Sequence, residues 1–386
     1  MLDVVASLAT GPRAAGLGCQ VAHLDVHRRR RLLAHMKPPG SLPFTAKHPA
    51  PAHLLGQDTR QIRRLDSDQA LEATYNRQSR WQKERAAAFY SSELGGVTTD
   101  PALMAIAVDE HGFHRGHAVF ETIRLAGGYV YLLEQHLARL FAAMARADIP
   151  LPPDTSPAQV ARTVLETAAA SCRLDGSIRV FACAGRGGFE LAGTACAASS
   201  LYVVVSAAEP RLESAREAYM RGWRVKTSPV PAQAPYFASL KHVGCLPNAL
   251  AQQDAEADGF HTAILLDERG FVLEGADCNV ACLTEERVLV VPPFDATRAG
   301  TTATRLMRLL PAAVAEGIEG LVGVEQRPIA VQEAKACVEV MLLGAALPVM
   351  PVSRWDGDTI GDGVAGIVAL QLRTLMEDDA DPGERV

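Results

Sequence analysis

Residues 237–282 read FASLKHVGCLPNALAQQDAEADGFHTAILLDERGFVLEGADCNVAC, and this stretch decides the fold. Lys241 precedes a run of helix-forming residues that stops at Gly259. HTAILLDE then reads as a strand, Arg269-Gly270 as a tight turn, and GFVLEG as the returning strand of a hairpin. Glu274 closes that hairpin and opens the run Glu-Gly-x-x-x-Asn, which ends at Asn279. Taken singly, none of these residues means much. Most lysines and glutamates are solvated, and an asparagine after a turn commonly satisfies local backbone. In this order they mean more. Apolar neighbours desolvate an amine and favour its neutral, nucleophilic form. Such an amine can join a carbonyl cofactor, and a carboxylate can hold the cofactor's ring nitrogen protonated.

Upstream, PVPAQAPYFASL (229–240) is a proline-rich loop that delivers Lys241, and GWRVKTSPVP before it reads as a strand. Further back, ALMAIAVDE and GYVYLL read as strands, and SIRVFACAG and SSLYVVVSAA as buried ones. EQHLARLFAAMARADI reads as an amphipathic helix, with Leu137, Leu140, Phe141 and Met144 on one face. SPAQVARTVLETAAASC is a second helix with Ser156 as its N-cap. Downstream, short strands alternate with the helical stretches TTATRLMRLLP and IAVQEAKAC. EVMLLGAALPVMPV is a late apolar strand broken at Gly344.

The pattern predicts an α/β (α+β) protein with two domains. Residues 86–208 form a small α/β domain, 209–222 a linker and 223–376 a larger domain, with a frayed tail at 377–386. Residues 1–85 stand apart. They carry HRRRR and KPPGSLPF, have few acidic residues before Asp58, and suit either a poorly ordered extension or an organelle-targeting segment.

Bulk composition narrows the function. The 386 residues are 48% hydrophobic and 21% charged, which suits a globular protein with a large core. A net charge of -6 argues against a general nucleic-acid binder. No apolar run reaches the ~20 residues that span a bilayer. The eight cysteines include no C-x-x-C pair, which suits a reducing compartment. His111, His114 and His117 recur every third residue, but flanking glycines mark a loop, and no metal is expected there. Gly300-Thr301-Thr302 precedes a helix, where free N–H groups suit an anion or an ordinary cap.

Together the blocks HRGHAVFETIRLAGGYVYLLEQHLARL, KHVGCLPNALAQQDAEADGFHTAILLDERGFVLEGADCNV, VLVVPPFDATRAGTTATR and EVMLLGAALPVMPV resemble the class IV, or fold-type IV, pyridoxal-phosphate-dependent aminotransferases. The wording is similar to the plant-type D-amino-acid aminotransferase and 4-amino-4-deoxychorismate lyase group. The resemblance implies a small N-terminal α/β domain and a larger one with a barrel-like sheet. It implies pyridoxal 5′-phosphate as cofactor, amino-acid and 2-oxo-acid substrates, and a homodimer. It makes Lys241 the Schiff-base and proton-shuttling lysine and Glu274 the partner of the pyridine nitrogen. Arg139, in His-x-x-Arg with His136, and the Thr301-Thr302 turn are implied to hold the phosphate. Asn279 joins the cofactor site and Leu289 packs on the ring. Ala345 and Ala346 offer backbone amides to phosphate or substrate, while Phe120 and Arg179 reach the substrate. The reaction implied is amino transfer from a D-amino acid such as D-alanine to a 2-oxo acid. A lyase releasing pyruvate and 4-aminobenzoate, and a branched-chain L-amino-acid aminotransferase, stand as alternatives. Gly244 and Cys245 replace the asparagine and tyrosine common in relatives, and Phe120 often replaces a tyrosine, so substrate choice stays open.

Overall fold

A computed structural model describes residues 63–208, 215–345, 348–379 and 384–385. Contacts separate Met1–Arg64 from Leu65–Val386, and the second unit holds everything discussed below. The expectations for residues 1–62 lie outside the described residues. Residues 63–85, grouped with the extension on composition, instead form two helices, Ser67–Asn76 and Arg80–Arg85. Each begins with a reciprocal capping box, Asp66 with Gln69 and Ser79 with Gln82. The Arg85 guanidinium donates to the Ala207 carbonyl, so the second helix is tied to the body of the protein.

The first sheet contains β1 (Ala86–Ser91), β2 (Gly96–Thr98), β3 (Ala118–Ala126), β4 (Tyr129–Val130), β5 (Gly176–Cys183) and β6 (Ser200–Ala207). The second contains β7 (Trp223–Thr227), β8 (Thr262–Leu266), β9 (Val272–Gly275), β10 (Asn279–Leu283), β11 (Val288–Val291), β12 (Gly323–Gln326), β13 (Glu339–Leu343), β14 (Met350–Trp355) and β15 (Asp358–Thr359). A final strand, β16 (Glu384–Arg385), returns to the first sheet and pairs with β4. The first sheet is antiparallel throughout, in the order β16-β4-β3-β5-β6-β1-β2.

One face of that sheet is apolar. Val119, Ile123, Leu125, Ile178, Val180 and Val203 pack on the helices Leu133–Arg146 and Pro157–Ala170. These are the two helices expected from periodicity, and Ser156 caps the second with a full capping box. Residues 102–110 are not a strand. Asp100 and Pro101 start a 3-10 turn at Pro101–Leu103 instead, the Asp100 carboxylate accepting from the Ala102 N–H.

The second sheet runs β12-β11-β10-β13-β14-β7-β8-β9, with β15 on β14. Its last strand, β9, and the inner strand β10 are joined by a short turn in which the Gly275 N–H donates to the Cys278 carbonyl. The path from β10 through β13, β14, β7 and β8 to β9 must therefore curl back on itself. Both faces of β10 and β13 are buried, so they read as continuous apolar runs rather than alternating ones. Val280, Cys282, Val340 and Leu342 face one core. Ala281, Leu283, Met341 and Leu343 face another, against the helices Thr301–Glu316 and Ile367–Glu377.

The stretch read as a linker contains a helix, Ala215–Arg221, whose Tyr219 hydroxyl donates to the Ala369 carbonyl. The tail is not frayed where it is described. Asp379 accepts a bidentate pair from Arg305 and the Tyr131 hydroxyl, and β16 extends the first sheet. Short acidic segments stay ordered when their charge is paired this way. Among the described residues no helix is long and apolar enough to cross a membrane.

Candidate active site

The backbone of Lys241 pairs with the first sheet. The Phe120 N–H donates to the Lys241 carbonyl at 2.8 Å and the Val243 N–H to the Ala118 carbonyl at 3.0 Å, with Val119 and His242 forming an isolated bridge. Lys241–Val243 therefore lies along the end of β3. This fixes the lysine side chain over the Phe120 ring, with Nζ 4.3 Å from the ring centroid. Burial draws the amine down to about 8, and the Arg298 guanidinium adds to that shift.

One wall of a nearby cleft comes from the β8–β9 hairpin. Its turn uses Gly270 at φ 83°, a left-handed conformation that favours glycine. A register shift follows. Leu266 pairs with Val272, but Leu265 pairs with Glu274, so Leu273 is an extra residue on its strand. Such a bulge re-aims side chains next to functional sites. Here Leu273 and Glu274, adjacent in sequence, both line the cleft. Burial pushes the Glu274 carboxyl up. The Arg298 charge and N–H and the Lys241 charge oppose that push. The cleft also takes in Gln233, His242, Asn248 and Arg298, and its empty volume is about 360 Å³ including the open mouth.

The third part is built on the Leu133–Arg146 helix. His136 and Arg139, three residues apart, face Glu121 on β3. Arg139 grips the Glu121 carboxylate with Nε at 2.7 Å and Nη2 at 2.6 Å, and His136 Nδ1 lies 2.8 Å from it. Burial alone would raise the Glu121 carboxyl, but Arg139 and then His136 outweigh it and hold it down at about 2. Burial lowers His136 despite that carboxylate. Arg139 also donates to the Ala299 carbonyl, and His136 Nε2 lies 3.4 Å from the Thr301 hydroxyl. The cluster thus abuts the start of the Thr301–Glu316 helix. Gly300 caps that helix and supplies no side-chain bond. The first-turn N–H groups have no intrahelical carbonyl to bond, and such groups suit an anion.

Asn279 shapes this turn rather than the cleft. Its amide nitrogen donates to the Arg298 carbonyl and its oxygen accepts from the Gly300 N–H. A Cβ on residue 300 would fall 2.0 Å from that oxygen, so only glycine fits.

The structure thus gathers Lys241, Glu274, Phe120, Arg139, Thr301 and Thr302 around one region, with Asn279 acting through the turn. Ala345 follows β13 and is half-buried. Ala346 lies outside the described residues. Arg179 is exposed on β5, opposite Thr122 and on the face that carries Phe120. Leu289 does not reach the cleft. It is fully buried on β11, in the core packed on the Thr301–Glu316 helix, and the cleft position belongs to Arg298 instead. Arg298 lies nine positions further on, and Asn279 ties the loop there at the Arg298 carbonyl and the Gly300 N–H. Glu121 was legible but unread, as a charged residue at a position of β3 whose neighbours of like parity, Val119 and Ile123, are apolar. His111, His114 and His117 pack ring on ring, with centroids 5.0 and 5.5 Å apart, and the first begins a short helix rather than a loop. Among the described residues no group of three or more His, Cys, Asp or Glu could hold a metal.

Residues 118–355 match the family model described as amino-transferase class IV. The chain is 38% identical over 297 residues to the chloroplastic D-amino-acid transaminase of Arabidopsis thaliana, covering 77% of each chain. A solved structure of the branched-chain amino acid aminotransferase from Thermobaculum terrenum, in its PLP form, superposes with a TM-score of 0.65 at 19% identity, over 77% of this chain and 94% of that one. The 4-amino-4-deoxychorismate lyase of Pseudomonas aeruginosa gives 0.62 at 24% identity, over 76% and 99%. These two structures share the fold.

Proposed function

The chain belongs to the class IV aminotransferase family, and from that premise we propose that it moves an amino group from a D-amino acid such as D-alanine to a 2-oxo acid. One observation carries the reading: a desolvated lysine amine, drawn down to about 8 by burial, lies near enough to the buried Glu274 carboxylate for its charge to act on it. The residues suit pyridoxal 5′-phosphate. Arg139 and the amides of Thr301 and Thr302 would hold its phosphate, and the Gly300–Asn279 contact keeps that turn close and open. Lys241 would hold its carbonyl end and Glu274 a proton at its ring nitrogen. When bound, the cofactor supplies the carbonyl and the electron-accepting ring.

The rest falls to the protein. The Lys241 amine, neutral above about pH 8, takes the α-proton of the amino acid and returns it on the other side of the reaction. Phe120 covers the amine and excludes water from it. Glu274, held between burial and Arg298, would face the ring nitrogen and favour a proton there. The D-amino-acid preference rests on the plant relative.

The test is a spectral half-reaction with the D and L forms of alanine, glutamate and leucine. Bleaching of the cofactor's visible band by D-alanine and not L-alanine is expected. A response to L-leucine alone, or pyruvate release from aminodeoxychorismate without a 2-oxo acid, overturns the D-transaminase reading. The same reading includes a homodimer, checked by light scattering. It also includes delivery of the basic segment before Asp58 to an organelle, checked by fusing residues 1–85 to a fluorescent reporter.

A further inference from the structure

Arg298 is a charge of the cleft that is only loosely partnered. Its side chain is 14% exposed, and its one ion pair among the described residues, Nη2 to Glu274 Oε2, is 4.0 Å long. That distance is too great for a hydrogen bond. Its neighbours on the wall are occupied with one another. His242 Nε2 lies 2.9 Å from Gln233 Oε1, Gln233 Nε2 donates to Asn248 Oδ1, and Asn248 Nδ2 donates to the Ala276 carbonyl. The backbone of Arg298 is held by Asn279 on its carbonyl and by the Glu274 carboxylate on its N–H. So the turn keeps its path whatever the side chain does.

A guanidinium carries five donors and stays charged at any relevant pH. Placed in a cleft walled by Leu240, Leu265 and Leu273, it needs an anion. Glu274 meets that need loosely. If Glu274 turns to a protonated ring nitrogen, as the function proposed above requires, Arg298 loses even that partner. Phosphate is provided for elsewhere, by Arg139 and the helix start.

We propose that Arg298 is a substrate-binding residue that receives a carboxylate of the amino acid or 2-oxo acid. This rests on the aminotransferase reading and adds to it a subsite. Carboxylate and guanidinium match in shape and pair through two parallel hydrogen bonds. Occupation also neutralises the charge that depresses Lys241 and His242. The amine is then freer to take up a proton when substrate is in place.

The test uses the holoenzyme as wild type, Arg298→Leu and Arg298→Lys. Each is titrated with two unreactive acids, butyrate and glutarate, followed by the change in the cofactor's visible band. Cofactor affinity is measured alongside by fluorescence quenching. Arg298→Leu is expected to load cofactor normally and to bind the acids on the order of 10- to 100-fold more weakly. Arg298→Lys should recover part of the loss, because it restores charge without the two-pronged geometry. An equal loss for both acids assigns the α-carboxylate; a loss confined to glutarate assigns the distal one. Unchanged acid binding in Arg298→Leu overturns the proposal, as does a loss of cofactor affinity with acid binding intact. A wild type that never takes up the cofactor defeats the aminotransferase reading and the subsite together, which separates the two failures.

Discussion

Around Arg139, a single buried carboxylate meets two side chains of the neighbouring helix, and every partner is within 2.8 Å. Around Lys241, an amine, a carboxylate and a guanidinium act on one another's charge, and the ion pair between the last two is 4.0 Å long. Both clusters are buried, yet burial has opposite results. Glu121 is held fully ionised, whereas Glu274 is pushed toward its neutral form and Lys241 toward the free amine. The first cluster is pre-organised and the second is poised. A held phosphate needs fixed donors, while proton transfer needs groups whose two charge states lie close in free energy.

The largest effect should come from removing the poised amine. Lys241→Ala is expected to abolish the visible band of lysine-bound cofactor and to lower turnover by at least ~10²–10⁴-fold, the usual worth of a positioned acid–base group. Its melting temperature should not fall, because the amine is held against its charge preference and its backbone makes the bridge to β3. In wild type the rate of cofactor capture should rise with pH and level off above about 8, as the ammonium loses its proton. Capture that is flat across that range breaks the contrast, since the amine would then not be poised.

Glu121→Gln tests the other cluster. Removing one partner of a buried ion pair costs about 3–5 kcal/mol, because the remaining charge stays uncompensated. The sign with pH follows from the lowered carboxyl. Glu121 stabilises the protein above its ordinary value of 4.5, and that contribution drains away as pH falls toward about 2. Acid unfolding of wild type should steepen across this window and the variant should lose that steepening, as followed by circular dichroism.

The same substitution at Glu274 should do the reverse. Glu274→Gln is expected to cut turnover on the order of 10²–10³-fold, through lost charge at the ring nitrogen. Stability should hold or rise, because a raised carboxyl marks a group that burial penalises when ionised. If both glutamines destabilise alike in denaturant titrations, the two clusters do not differ in kind.

How much of this was legible follows from where the signal is local. The Pro157–Ala170 helix is written in its own capping box, and β10 and β13 in their unbroken apolar runs. Lys241, Glu274 and Arg139 were legible as members of ordered blocks. Arg298 was not. Nothing near Ala296-Thr297-Arg298 says that its side chain enters the cleft, because the path of that loop is set by Asn279, nineteen residues earlier and in another strand. Leu289 looked suitable by residue type, but an apolar residue on β11 is claimed by the core. The Asp100-Pro101 start signal lay in plain view, and the apolar alternation after it hid it.

The smallest effect separates geometry from charge at the phosphate turn. Asn279→Ala removes no charge and touches neither Lys241 nor Glu121. It leaves the Gly300 N–H and the Arg298 carbonyl without their partners, at a cost of about 1–3 kcal/mol. The turn then loses its tie while Arg139 and its carboxylate stay intact. Affinity for the cofactor phosphate should fall, with turnover at saturating cofactor nearly unchanged. Asn279→Asp sharpens the point. It keeps the oxygen that accepts from Gly300 but loses the donor to Arg298, so it should recover part of the affinity. Inorganic phosphate, competing with cofactor in an equilibrium titration, reads the same site without the chemistry. If Asn279→Ala lowers turnover as much as Glu274→Gln does, the asparagine acts on the reacting atoms and not through the turn.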